Sequence, residues 1–280
     1  MMLDDGPERL MQRSRGSAFA SFALRSGAVG LVDLCQQGSG KAMLPRVAGP
    51  VPEVVFLNTS GGLTGGDALA YALEVGAGCR ITATTQTAER AYSSLGAQAH
   101  LRVTARVGPG GRLDWLPQET ILFETAHLRR DTDIDLAADA SCLLAESVVL
   151  GRQAMGERPA VARLADNRRV TRAGKPVWVE RQRLDQTFLH DSETPAVLAG
   201  ARAFAVVALV MAGAEDALAP VRAVLDEPGC SAAASGWEGK CLVRVTAPDG
   251  WPLKRQLARV LAVLSGRPLP RVWQMQGVAP

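Results

Sequence analysis

Glu146 is the residue whose surroundings demand most of its side chain. It stands between Ser141-Cys142-Leu143-Leu144-Ala145 and Ser147-Val148-Val149-Leu150, a run apolar on both faces. A carboxylate there is expected to be buried, and burial is costly unless counter-charges and hydrogen bonds compensate. Two readings stand: an ion pair holding the loop at Gly151, with Arg152 as one partner, or a polar lining of an internal path or interface. Glu119, next to Gln118 between residues 113–117 and 120–123, is a second carboxylate, and with Glu146 it would form a pair of the kind used in glycoside hydrolysis. No aromatic-rich sugar platform accompanies the pair. A third acid, Asp67, closes the stretch Asn58-Thr59-Ser60-Gly61-Gly62-Leu63-Thr64-Gly65-Gly66-Asp67. Glycine doublets admit positive φ and close backbone approach. The stretch therefore reads either as a double turn between strands or as a tight loop where another backbone or an ion approaches, with Asp67 as cap or cation ligand.

Other chemistries find little support. His100, His127 and His190 are unpaired with other metal ligands at helical or turn spacing, so a strong transition-metal site is not expected. No Gly-x-Ser-x-Gly elbow occurs. Gly38-Ser39-Gly40-Lys41 imitates the end of a phosphate loop, but Cys35 and Ala42 stand where glycine and a hydroxyl are required. Cys35, Cys79, Cys142, Cys230 and Cys241 are odd in number and widely spaced, which suggests buried thiols rather than disulfides or zinc ligands.

The net charge of +3 over 280 residues is slight, and no basic block is interleaved with aromatics, so nucleic-acid binding is disfavoured. Only four basic residues are lysine (Lys41, Lys175, Lys240 and Lys254), and the rest are arginine, which suits interfaces and bidentate contacts. Residues 1–16 lack an apolar signal region and read as a flexible N-terminus. The most hydropathic stretch, residues 195–214, is interrupted by Arg202; its uninterrupted part, residues 203–214, is too short to cross a bilayer and reads as a buried element. The expected location is the cytoplasm, with no membrane partner.

The elements that must position these residues are mostly strands. Strand and turn signals recur about every ten residues up to about residue 190, the spacing of an all-β architecture. Residues 17–34 suggest a hairpin broken at Ser26-Gly27, and residues 37–52 read as loop. Residues 68–75, 79–87, 98–107, 127–136, 140–150, 161–170 and 175–184 read as strands, with Arg129, Asp131, Asp133 and Asp135 on the polar side of theirs. Residues 215–225 and 251–264 carry helical spacing. In the second, Asp249 is a cap, Gly266 a stop, and Leu253, Leu257, Val260, Leu261 and Leu264 one apolar stripe. No fixed-period repeat appears. The expected organisation is one β-rich domain over residues 17–280, with helical elements from about residue 195.

Several motifs fall in a telling order: Asn58 to Asp67 as quoted above, Thr84-Thr85-Gln86-Thr87-Ala88-Glu89-Arg90-Ala91-Tyr92, Trp115-Leu116-Pro117-Gln118-Glu119-Thr120, Glu146-Ser147-Val148-Val149-Leu150-Gly151-Arg152 and Leu269-Pro270-Arg271-Val272-Trp273. In these the chain resembles the UreD (UreH) family of urease accessory proteins, from about residue 15 to 275. The Asn-Thr-Ser ahead of the first glycine pair departs from the prolines of many relatives. The resemblance implies a mainly β fold, a layered, helix-like arrangement of many short strands with a few α-helices in the C-terminal third. It implies a non-enzymatic scaffold that binds apo-urease and UreF and, through UreF, the GTPase UreG. Nickel would be in transit rather than tightly bound. Residues of the matched motifs that would line or brace an internal polar passage are Thr85, Gln86, Glu119, Glu146, Arg152 and Glu157, with the loop Gly61, Gly62, Gly65, Gly66 and Asp67. Weak, transient nickel contact would fall to Asp67, Glu119 and Glu146. The competing expectations are a strand-rich hydrolase or lyase using Glu119 and Glu146, and a carbohydrate- or peptide-binding β module.

Overall fold

The computed structural model describes residues 12–47 and 49–274. Of the N-terminal segment expected to be flexible, residues 1–11 lie outside the described residues, and Arg15 and Gly16 already belong to the first strand. Strands β1 (Arg15–Arg25) and β2 (Ala28–Gly38) form the expected hairpin, turning through Ser26 and Gly27 at φ 51° and 81°. The loop expected over 37–52 is shorter than that, because β3 (Gly40–Met43) follows after Ser39 alone. Two glycines make this possible: Gly38 adopts φ 54°, and a Cβ on Gly40 would run into the backbone of Ser17. The imitation phosphate loop is thus a bend between two strands.

The chain then coils. β4 (Glu53–Asn58), β5 (Ala68–Val75), β6 (Arg80–Thr85), β7 (Glu89–Ala91), β8 (Ala99–Val107), β9 (Arg112–Trp115), β10 (Thr120–Leu122), β11 (His127–Leu136) and β12 (Ser141–Leu150) wind around three walls. The first wall is a seven-stranded sheet that also holds β13 (Arg163–Arg172) and β14 (Lys175–Leu184), in the order β14-β13-β11-β8-β5-β1-β2. Its five central strands, β13 through β1, are parallel. The second wall is extended past β12 by β15 (Ala203–Val210), β17 (Lys240–Ala247) and β16 (Ser231–Trp237), which pair antiparallel. The third is a narrow parallel ladder of Leu63, β7, β10 and the end of β12. This is a β-solenoid-like stack of coils. Coil starts on the first wall fall at Ala68, Ala99, His127 and Arg163, so coil length varies and no fixed period is imprinted on the sequence.

Strand β12 belongs to two walls. Residues 141–144 pair with β9, and Thr120, Ile121 and Leu122 of β10 pair with Val148, Val149 and Leu150. Glu146 lies at the switch.

One apolar core fills the space between the first and second walls. Phe56 stacks on Tyr71 with ring centroids 4.7 Å apart and meets Trp115 edge-on at 6.1 Å. β15, read as a buried element, is buried along its whole length. A second core lies on the outer side of the second wall, under α3 (Gly250–Ser265). The predicted stripe of α3 faces inward, Asp249 caps its start through Gly250 N, and Gly266 ends it at φ 62°. α2 (Leu218–Arg222), preceded by a 3-10 turn over Ala214–Ala217, accommodates Pro220 in its first turn, where a missing N–H costs nothing. Helix begins slightly earlier than expected, with the short α1 (Gln186–His190).

Buried charge ties α3 to the coil. Asp114 accepts hydrogen bonds from Arg80 at 3.0 Å and from Arg112 at 2.8 Å. The same guanidiniums donate to the carbonyls of Ser265 (2.7 Å) and Leu264 (3.0 Å) at the helix C-terminus, where the dipole favours cations. Asp114→Ala leaves both arginines uncompensated. It is expected to lower unfolding stability by about 3 kcal/mol, the lower end for breaking a buried pair, and urea unfolding followed by circular dichroism checks this.

Candidate functional site

The inner face of the first wall is apolar on β5 and β8 and changes character on its last three strands. Arg130 lies opposite Asp166, and Thr132 opposite Arg168, across β11 and β13; Arg168 in turn faces Glu180 on β14. Each shares a strand face with buried apolar neighbours such as Leu128, Ile134, Leu164 and Val170. From the opposite wall Glu146 completes the cluster. Its Oε2 accepts from Arg168 Nε at 2.7 Å and lies 3.6 Å from Arg130 Nε, and its Oε1 accepts from Thr132 Oγ1 at 2.7 Å and Trp115 Nε1 at 3.2 Å. Arg130 donates to both oxygens of Asp166, at 2.9 and 2.6 Å, and to Thr120 Oγ1 at 2.9 Å. Arg168 also donates to Asp166 and, at 3.2 Å, to Gln182. Glu180 extends the cluster toward solvent, accepting from Arg244 at 2.5 Å. Burial pushes the Glu146 carboxyl up, but the attraction of Arg130 and Arg168 and the hydrogen bonds it accepts outweigh this and hold it at about 2.

The expected pairing of Glu146 with Arg152 does not occur. The left-handed turn at Gly151, φ 69°, throws Arg152 out of the line of β12. Arg152 instead donates to Glu157 at 2.7 Å and stacks 4.9 Å over the Phe123 ring, which itself stacks on Tyr92 at 5.1 Å. Glu157 also accepts from Glu124 N at 3.1 Å. Glu146 and Glu119 face different partners: Glu119 is half-buried with Lys254 Nζ 3.9 Å away.

The matched motifs converge on one corner, where the second wall bends into the third. Thr84 Oγ1 donates to the Leu116 carbonyl at 2.6 Å, Thr85 Oγ1 accepts from Gln118 N at 2.9 Å, and Glu89 N donates to the Glu119 carbonyl at 2.9 Å. Gln86 is exposed, its N–H bonded to the Phe56 carbonyl at 2.9 Å. Trp273 Nε1 donates to the Leu116 carbonyl at 2.8 Å, which brings the C-terminal motif to the same place, and Lys254 reaches Gln118 at 2.5 Å from α3.

The double-glycine loop caps this corner. Leu63 enters the third wall beside Ala91, with Leu63 N bonded to the Arg90 carbonyl at 2.7 Å. A Cβ on Gly62 would collide with the Tyr92 ring and one on Gly65 with Ser94, while Gly61 and Gly66 hold φ 79° and 88°. Asp67 is buried and committed: Oδ1 accepts from Ser14 N at 2.7 Å and Oδ2 from Thr64 N at 2.9 Å. Its geometry is that of a latch between β1 and the loop. Beneath the loop, Asn58 Nδ2 bridges the Gly62 carbonyl (3.3 Å) and Glu89 Oε1 (3.2 Å). Burial raises the Glu89 carboxyl to about 7 against the opposing pull of Asn58 and Arg90.

Sequence reasoning singled out Glu146 but missed Arg130, Asp166, Arg168 and Glu89. The signal for the first three is present: charged residues at alternate positions on the apolar side of two strands. Glu89 lies within a matched motif but was given no role. Among the described residues, no group of three or more His, Cys, Asp or Glu side chains forms a metal-holding set. No helix among them is long and apolar enough to cross a membrane.

A family model described as "UreD urease accessory protein" matches residues 14–274. Urease accessory protein UreD of Cereibacter sphaeroides is 61% identical over 268 residues, covering 96% of this chain and 98% of that protein. The UreD of Paracoccus denitrificans is 51% identical over 265 residues, covering 95% and 94%. That of Rhizobium leguminosarum bv. trifolii is 39% identical over 265 residues, covering 94% and 96%.

The two perturbed carboxyls act on stability with opposite sign. Glu146 sits at about 2 when folded against an ordinary 4.5, so its contribution is complete above pH 4.5 and lost as the pH falls toward 2. The loss is expected to be about 3 kcal/mol, and Glu146→Gln should abolish this acid-side slope and be less stable than wild type at pH 7. Glu89 sits at about 7 against the same 4.5, so stability is complete below pH 4.5 and falls as the pH rises to 7. Glu89→Gln should flatten that limb. Urea midpoints measured from pH 2 to 8 test both.

Proposed function

The chain belongs to the UreD family of urease accessory proteins, and we propose that it is a scaffold that binds apo-urease and the helical accessory protein UreF, and through UreF the GTPase UreG, in the cytoplasm. In this reading nickel is cargo released by GTP hydrolysis in UreG and passed toward the urease active site. The scaffold supplies position and an internal polar route, not bond-making chemistry.

The observation that supports this reading is the corner where the family's motifs meet. Its side chains spend their polar groups on one another and on backbone, which suits holding a shape. Glu146 is enclosed by Trp115, Thr132, Arg130 and Arg168, a setting that braces the coil and repels a dication. Asp67, Arg152 and Glu157 brace the loops beside it. Glu119, half-buried and held only loosely by Lys254 at 3.9 Å, is with the hydroxyl of Thr85 and the amide of Gln86 the group we assign to touching a hydrated cation in passage. A hydrolase or lyase using Glu119 and Glu146 would need the two to share a substrate, whereas Glu146 is engaged by Trp115, Thr132 and Arg168 and Glu119 by Lys254.

Co-expression with apo-urease and UreF, followed by affinity capture, tests the scaffold. Stable co-purification is expected, and its absence would overturn the reading. Glu119→Ala is expected to reduce urease activation several-fold while leaving the captured complex intact; normal activation by a well-folded variant would remove Glu119 from the route.

A further inference from the structure

The outer face of the first wall carries an ordered charge pattern set by strand register. Because its central strands are parallel and in register, residues of equal height form rows across the sheet. One row runs Arg15, Ala68, His100, Arg129, Ala165, Arg183; the next runs Ser17, Ala70, Arg102, Asp131, Asn167, Arg181. Two rows further along the strands, Glu74 and Asp135 flank Arg106, with Asp33 at the β2 edge. The sheet face is therefore basic at one end and acidic at the other.

The acids near the basic end are already matched. Asp131 accepts from Arg129 at 2.7 Å, and Asp133 from Arg169 at 2.7 Å. Arg15, Arg102, Arg163, Arg181 and Arg183 make no ion pair among the described residues, and all five are exposed. The basic end also contains a trough of about 750 Å³, bordered by Arg15, His100 and Arg102. The outer face of a solenoid wall is an extended surface available to a partner. Among the described residues α3 packs on β12, β15 and β17, α2 on β16, and α1 on the edge strand β14.

We propose that this basic band is a docking surface for an acidic α-helix of a protein partner, lying across the strands. From Arg15 on β1 to Arg183 on β14 there are five strand spacings, about 24 Å, the length of a helix of about 16 residues. The backbone of the central strands is fully paired within the sheet, so an added strand has nothing to bond, whereas carboxylates along a helix would meet unpaired guanidiniums. A nucleic acid would bring its phosphates over the acidic rows as well, and the band lacks interleaved aromatics. The proposal rests on the scaffold reading above and assigns one of its contact faces.

The test pairs a defined probe with the assembly. Fluorescence anisotropy is measured with a labelled, helix-forming Glu/Ala peptide and with a labelled single-stranded RNA. The proteins are wild type, the doubly reversed Arg102→Glu/Arg183→Glu, and Arg106→Glu at the acidic end. Each is also captured with co-expressed apo-urease and UreF. The proposal expects peptide binding that salt weakens, that the double reversal reduces at least about tenfold, and that Arg106→Glu leaves unreduced. The double reversal should also lose one of the two partners. No peptide binding by wild type, unchanged binding by the double variant, or tighter binding of RNA would overturn it. So would loss of peptide binding with both partners still captured normally. Wild type capturing neither partner would instead sink the scaffold reading, and the peptide arm would still judge the face.

Discussion

Four ionised side chains inside a β core are tolerable only while they hold one another. Glu146, Asp166, Arg130 and Arg168 are all at most 2% exposed, and each touches at least two of the others or a hydroxyl or indole donor. Such a cluster contributes little net stability compared with an apolar core of the same shape, but it penalises every arrangement that separates its members. A slip of one residue in β13 would turn Asp166 and Arg168 to solvent and bring Asn167 and Arg169 beneath the sheet, facing Glu146 with the wrong geometry. The register of the last coil, and the distance between the two large walls there, are thereby specified.

The corner column works by a different logic. There the polar groups are mostly half-buried and bonded to backbone, and shape comes from close approach. Gly62 and Gly65 let Tyr92 and Ser94 lie against the loop, and Asp67 fastens the loop to the start of β1. An aspartate with both oxygens held by N–H groups is a poor cation ligand and a good latch. Asp67, which the sequence offers as a cap or a cation ligand, has the geometry of a cap, and Glu119 meets Lys254 alone among the described charges.

Much of this was legible beforehand. Strands with strict alternation, such as β8 and β11, and the capped amphipathic α3 follow directly from period and end signals. The apolar run around Glu146 announced a buried carboxylate. Its true partners were hidden because they lie on strands some twenty residues away, and pairing across walls is a property of coiling that local patterning does not carry. The polar alternation of β11 drew attention to Arg129, Asp131, Asp133 and Asp135, while Arg130 and Thr132 on the other face proved to be the buried pair. Coil geometry was invisible for a related reason: insertions between walls vary in length, so similar rungs do not repeat at equal spacing.

Strand β12 gives this stack a property that simple solenoids lack. In a regular array each coil touches only its neighbours, so its ends can fray one coil at a time. Here one strand closes the second wall with β9 and β15, closes the third with β10, and carries Glu146 into the charge cluster of the first. Peeling it away breaks all three walls together. The last coil is therefore a keystone, and the C-terminal layer laid on β15 shields it from the end where fraying would otherwise begin.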